Sequence, residues 1–90
     1  MANVLNTGGY KNITATGNVS PVTTDLLGIF VSTTSSGTFV VYDSATTTTS
    51  APITGTVTPT AGTWYSIPAS ASAGLYIVVT GTLNATVIFA

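Results

Sequence analysis

The chain has 90 residues, room for a single hydrophobic core, and only three of its side chains, Lys11, Asp25 and Asp43, are charged at neutral pH. One basic residue cannot neutralise a run of phosphates, which argues against nucleic acid and against an anionic membrane surface as partners. With neither cysteine nor histidine in the chain, disulfides and a structural zinc site are out of reach.

Threonine, valine, isoleucine and tyrosine recur throughout, whereas glutamate, glutamine and arginine are absent, a composition that favours strands over helices. Residues 1–9 read as an N-terminal arm and residues 10–90 as the domain. Tyr10 to Val19 is the first expected strand, with Tyr10, Asn12, Thr14 and Thr16 on one face and Lys11, Ile13 and Ala15 on the other. Leu26 to Thr33 is apolar on both faces and is expected to lie centrally. Thr34-Ser35-Ser36-Gly37 reads as a turn that returns the chain through Thr38 to Asp43, forming a hairpin. Ser44 to Ser50, with its run of threonines, is expected to be an exposed and mobile loop.

Pro52 to Thr58 alternates strictly, with Ile53, Gly55 and Val57 inward and Thr54, Thr56 and Thr58 outward, and is expected to be a strand. Pro59-Thr60-Ala61-Gly62 then turns into Thr63 to Ile67, which Pro68 is expected to end. Ala69 to Ala73 reads as a crossing between sheets, and Leu75 to Thr80 and Leu83 to Phe89 as a hairpin about Gly81. About seven strands at this spacing predict an all-β fold, a two-sheet antiparallel sandwich of Greek-key or jelly-roll type. The longest apolar runs, such as Leu26 to Val31, fall far below the ~20 residues of a membrane-spanning helix.

The residues offer little chemistry. General acid-base and nucleophilic catalysis need a group that titrates near neutrality, and histidine, cysteine and glutamate are all missing. Asp25 and Asp43 both flank expected turns, where a carboxylate commonly accepts local backbone N–H groups, so an aspartate dyad is not expected. No enzyme activity, metal or cofactor is expected. The outward threonines resemble ice-binding ladders, which would require aligned Thr-x-Thr units on neighbouring strands. Trp64 and Tyr65 are adjacent, so alternation turns one to the core and the other to solvent, where it serves as an interface anchor or a sugar-stacking platform. A core this small, on a chain with net charge −1 and few charges to keep copies apart, points to oligomerisation.

Tyr10-Lys11-Asn12-Ile13-Thr14, Leu27-Gly28-Ile29-Phe30-Val31-Ser32, Ser35-Ser36-Gly37-Thr38, Tyr42-Asp43, Gly62-Thr63-Trp64-Tyr65 and Gly74-Leu75-Tyr76-Ile77-Val78-Val79 occur in an order that resembles a family of short tailed-bacteriophage virion proteins. The likeness runs from Tyr10 to about Phe89. It implies a small β-sandwich among the structural components of a phage, of the capsid cement or decoration type, made in the host cytoplasm and carried on the capsid surface. Its implied partners are the major capsid protein and further copies of itself, a trimer above all. The candidate interface residues are Trp64, Tyr65, Tyr10, Lys11 and Asp43, and the arm is expected to order on docking. The alternative is a tail or head-fibre module that recognises a host glycan through Trp64, Tyr65 or the Ser44 to Ser50 loop.

Overall fold

Runs of β-branched and aromatic residues, broken by glycine, proline and serine, give a chain that is extended almost throughout. The computed structural model describes residues 9–90, which form β1 (Gly9–Ile13), β2 (Gly17–Ser20), β3 (Thr24–Asp43), β4 (Thr63–Ala71) and β5 (Leu75–Phe89), with no helix among them. All pairings are antiparallel and make one five-stranded sheet in the order β1-β5-β3-β4, with β2 also on β5. The expected N-terminal arm lies outside the described residues, apart from Gly9.

The strand count is lower than expected because two predicted hairpins are single strands. Residues 26–33 and 38–43 do not pair with each other; both belong to β3, which runs beside β5 along its whole length. At Thr34-Ser35-Ser36-Gly37 the chain bends instead of reversing, because Ser35 and Ser36 both lie opposite Thr82 and form a bulge. Ser36 has a positive φ of 56°, and the Gly37 N–H donates to Thr34 Oγ1 at 3.1 Å. Gly81, with φ 78°, lies so close to the Ser36 carbonyl that a side chain there would collide with it. Residues 75–80 and 83–89 are thus also one strand, bent at the same place.

The bend is severe. A straight strand of 20 residues would span roughly 65 Å, yet the longest dimension of the molecule is 39 Å. Ala71 lies opposite Thr24 at the start of β3 and Leu75 opposite Asp43 at its end, so three residues, 72–74, connect the neighbourhoods of its two ends. The Phe39 ring in the second half of β3 meets the ring of Tyr65, which pairs with Ile29 in the first half, edge to face at 6.3 Å. One core therefore fills the inside of the bend, including Leu26, Ile29, Val31, Phe39, Val41, Leu75, Ile77, Leu83 and Val87. Each of these buried side chains contributes about 1.5–3 kcal/mol.

Three further expectations are corrected. The predicted Tyr10 to Val19 strand divides at residues 14–16 into β1 and β2, and Thr16 Oγ1 holds the crossing by accepting the Val79 N–H at 2.8 Å. Pro52 to Thr58 makes only isolated bridges, Phe39 to Val57 and Tyr42 to Pro52, because Thr54 Oγ1 takes the Val41 N–H that a neighbouring strand would otherwise use. Ile53 and Val57 still pack against the core. Pro68 does not end β4: β4 is an edge strand with an irregular register at this point, where a missing N–H costs nothing, and it continues to Ala71. The expected crossing at Ala69 to Ala73 shrinks accordingly to residues 72–74.

Candidate functional site

Alternation in the first half of the sheet puts Tyr10, Ile88, Phe30 and Trp64 on the face away from the core. Tyr10 lies opposite Ile88, Ile88 opposite Gly28, and Phe30 opposite both Thr86 and Trp64, so these residues are contiguous across four strands. Tyr10 is 75% exposed, Trp64 47% and Phe30 39%. Aromatic residues offer about 150–250 Å² each, which leaves about 300 Å² of their combined surface in water, comparable with the largest apolar patch on an ordinary monomer.

Gly28 shapes this face. A Cβ there would collide with the far edge of the Trp64 indole and with the Tyr65 carbonyl, so the indole lies over the gap left by the glycine and presents its other side to solvent. The polar members of the face satisfy one another: Asn12 Nδ2 donates to Asn84 Oδ1 at 2.8 Å, to the Ala85 carbonyl at 3.1 Å and to Thr86 Oγ1 at 3.4 Å.

The remaining candidate residues have other positions. Tyr65 turns inward against Phe39, and its hydroxyl accepts the Thr60 N–H at 2.8 Å, so of the adjacent pair it is Trp64 that faces solvent. Lys11 occupies an inward register position on edge strand β1, opposite Val87, yet stays exposed at the margin. A charge so placed discourages the edge from pairing with another sheet.

Asp43 holds the connection between β4 and β5. Its Oδ1 accepts the N–H groups of Ala73 at 2.8 Å and Gly74 at 3.3 Å, and its Oδ2 accepts the Ser72 N–H at 3.1 Å and hydroxyl at 3.0 Å. The Ala73 N–H above all lowers the carboxyl pKa from its usual value; partial desolvation opposes the shift, and the Ser72 and Gly74 bonds add to it. This carboxylate is occupied as an acceptor and is not poised for acid-base chemistry. Beside it Ser20 and Thr24 are buried and bonded through their hydroxyls, and a Cβ on Gly74 would meet the carbonyls of Ser20 and Ser44.

The loop after Asp43 is exposed over residues 46–50, as expected, but its start is tied down. Buried Ser44 accepts the N–H groups of Thr46 and Thr48 on Oγ, each at 3.1 Å, and Asn18 Nδ2 donates to the carbonyls of Ser44 at 3.2 Å and Thr46 at 3.0 Å. Thr54 Oγ1 donates to the Gly55 carbonyl and lies outside any strand, so the aligned Thr-x-Thr units that an ice-binding ladder requires are not present on that segment.

Gly28, Phe30 and Ile88 were not among the residues singled out from sequence. Phe30 sits in a segment apolar on both faces, which reads as buried, and only the position of β4 decides how much of it stays uncovered. Comparison of the chain with protein-family models, with curated proteins and with solved structures finds no match, so no family membership is assigned.

Proposed function

We propose that this chain is a non-enzymatic structural protein of a tailed-bacteriophage virion, a cement or decoration protein that bridges subunits of the major capsid protein and so stabilises the shell. The observation that carries the proposal is the outer face bearing Tyr10, Phe30 and Trp64, an aromatic surface whose one charged residue is Asp25 at its end, on a domain with almost no charge to hold partners off. The phage assignment itself draws on the likeness of the segments quoted from the sequence. On the same reading the bent sheet is a two-layer sandwich of jelly-roll type, supported by the Phe39–Tyr65 contact across its interior.

A single face of this size is smaller than the ~800 Å² per partner of a standard interface, so one contact would be weak. Several copies joined as a trimer, each seated on the shell, bind far more tightly by avidity. The test is to purify virions, count copies of the protein by quantitative mass spectrometry, and heat the shells with and without it. Copy numbers in proportion to the capsid subunits, with earlier shell rupture on its removal, are expected. A handful of copies at the tail would refute cement and favour adhesion to a host glycan, for which the half-exposed Trp64 indole is the natural stacking surface.

A further inference from the structure

The three charges of the chain are not equivalent once folded. Asp43 is consumed by residues 72–74. That leaves Lys11 and Asp25, both exposed and, among the described residues, without a hydrogen-bonded or ionic side-chain partner. They cannot reach each other. Lys11 lies opposite Val87, Asp25 exchanges backbone hydrogen bonds with Ala90 three residues further on, and two strand spacings separate them, so their Cα atoms are about 14 Å apart, beyond the combined length of the two side chains.

Asp25 also has a setting of its own. The Leu26 to Gly28 irregularity in β3 faces Ile67 and Pro68 of β4, and beside it opens a cleft of about 300 Å³ lined by Asp25, Leu26, Leu27, Pro68, Ala69 and Ser70. It is shallow and open to solvent, its walls mix apolar and polar surface, and its one charged group is a carboxylate. The backbone of Asp25 is held firmly, exchanging hydrogen bonds with Ala90 at 3.1 and 2.8 Å. Such a cleft suits a side chain with an aliphatic stem and a cationic head, and the chain contains just one, Lys11.

We infer that Lys11 of one copy inserts into the Asp25 cleft of the next, a deepening of the proposal above that rests on the chain acting as a homo-oligomer. The two residues sit at opposite lateral sides of the same half of the sheet, Lys11 on edge strand β1 and Asp25 beside edge strand β4. Contact between unlike surfaces is head-to-tail, and it closes into a ring such as a trimer or runs on as a filament. The pair sets orientation and register, while apolar contact around it supplies most of the affinity.

Sedimentation of the full chain over a concentration series, in low and in high salt, tests this. Lys11→Asp and Asp25→Lys are each expected to weaken self-association by about fivefold, high salt to weaken the wild type, and the double exchange Lys11→Asp with Asp25→Lys to restore it. Both sites are exposed, and matching circular dichroism spectra would establish that the variants are folded. If the wild type associates but the single variants match it, or the double exchange fails to restore it, the pair is wrong while the oligomer stands. A wild type that stays monomeric at the highest concentration overturns both. If Asp25→Lys abolishes binding to shells and Lys11→Asp changes nothing, the cleft takes a basic side chain of the shell protein and the copy-to-copy pair is refuted.

Discussion

The two halves of the bent sheet share β3 and β5 but differ in what covers their outer faces. On residues 38–43 and 75–80 the outer face carries Tyr42 and Tyr76, whose rings lie 6.2 Å apart, and Asn18 ties the start of the following loop close by, so that Tyr76 is buried. On residues 24–31 and 83–89 the equivalent face carries Phe30, Trp64 and Tyr10 with no loop bound across them among the described residues, and all three are exposed. Where the chain needs a face closed it uses its own loop and a set of hydroxyl and amide bonds. The open face is the one where exposed aromatic rings are concentrated, which is why a partner is proposed there.

This contrast can be broken most severely from the inside. Phe39→Ala is expected to cost about 3–5 kcal/mol, because it empties the contact with Tyr65 that joins the two halves, and urea denaturation would measure it. A change below about 1 kcal/mol would mean that the halves are held by something else. Gly74→Ala should follow, at about 1–3 kcal/mol, since its Cβ must displace the carbonyls of Ser20 or Ser44 at the closed end.

Asp43→Asn is expected to lower the thermal midpoint at neutral pH and to do so less in acid. The folded pKa of Asp43 lies below its unfolded value, so its contribution is complete above the unfolded value near 4 and is lost as pH falls through the folded one. Melts of wild type and variant at pH 7 and at about pH 2 should converge at the lower value. Equal differences at both pH values would show that the bonds to residues 72–74 do not depend on the charge.

The smallest effect on folding is expected on the open face, where Trp64→Ser should change stability by no more than about 1 kcal/mol while abolishing attachment to shells. As the only tryptophan, Trp64 also reports on docking directly. Acrylamide should quench its fluorescence in the isolated protein and be excluded in the bound state. Quenching that is unchanged on binding would move the contact to another face.

Much of this was readable before folding. Period-two alternation sets Ile13 on the face opposite Tyr10 and groups Leu83, Ala85 and Val87 on one face, and all four are buried while Tyr10 is exposed. The adjacent Trp64 and Tyr65 had to divide between core and solvent, and they do. Misread were the bends. Ser35-Ser36-Gly37 and Gly81 carry the signals of hairpin turns, and a bulge uses the same residues, because both need a positive φ or a small side chain at the point where the strand departs from straightness.

What the sequence by itself determined is an all-β chain with very few charges, since strand-forming composition and the scarcity of ionisable groups are local properties of the chain. Only the tertiary structure decided that β3 and β5 stay paired through their bends, that Asp43 is spent on a connection 29 residues further on, and that the outer surface of Trp64 lies open over Gly28. Those outcomes depend on which distant segments come to lie beside one another, and that pairing is settled by the packing of the whole core, not by any stretch of it.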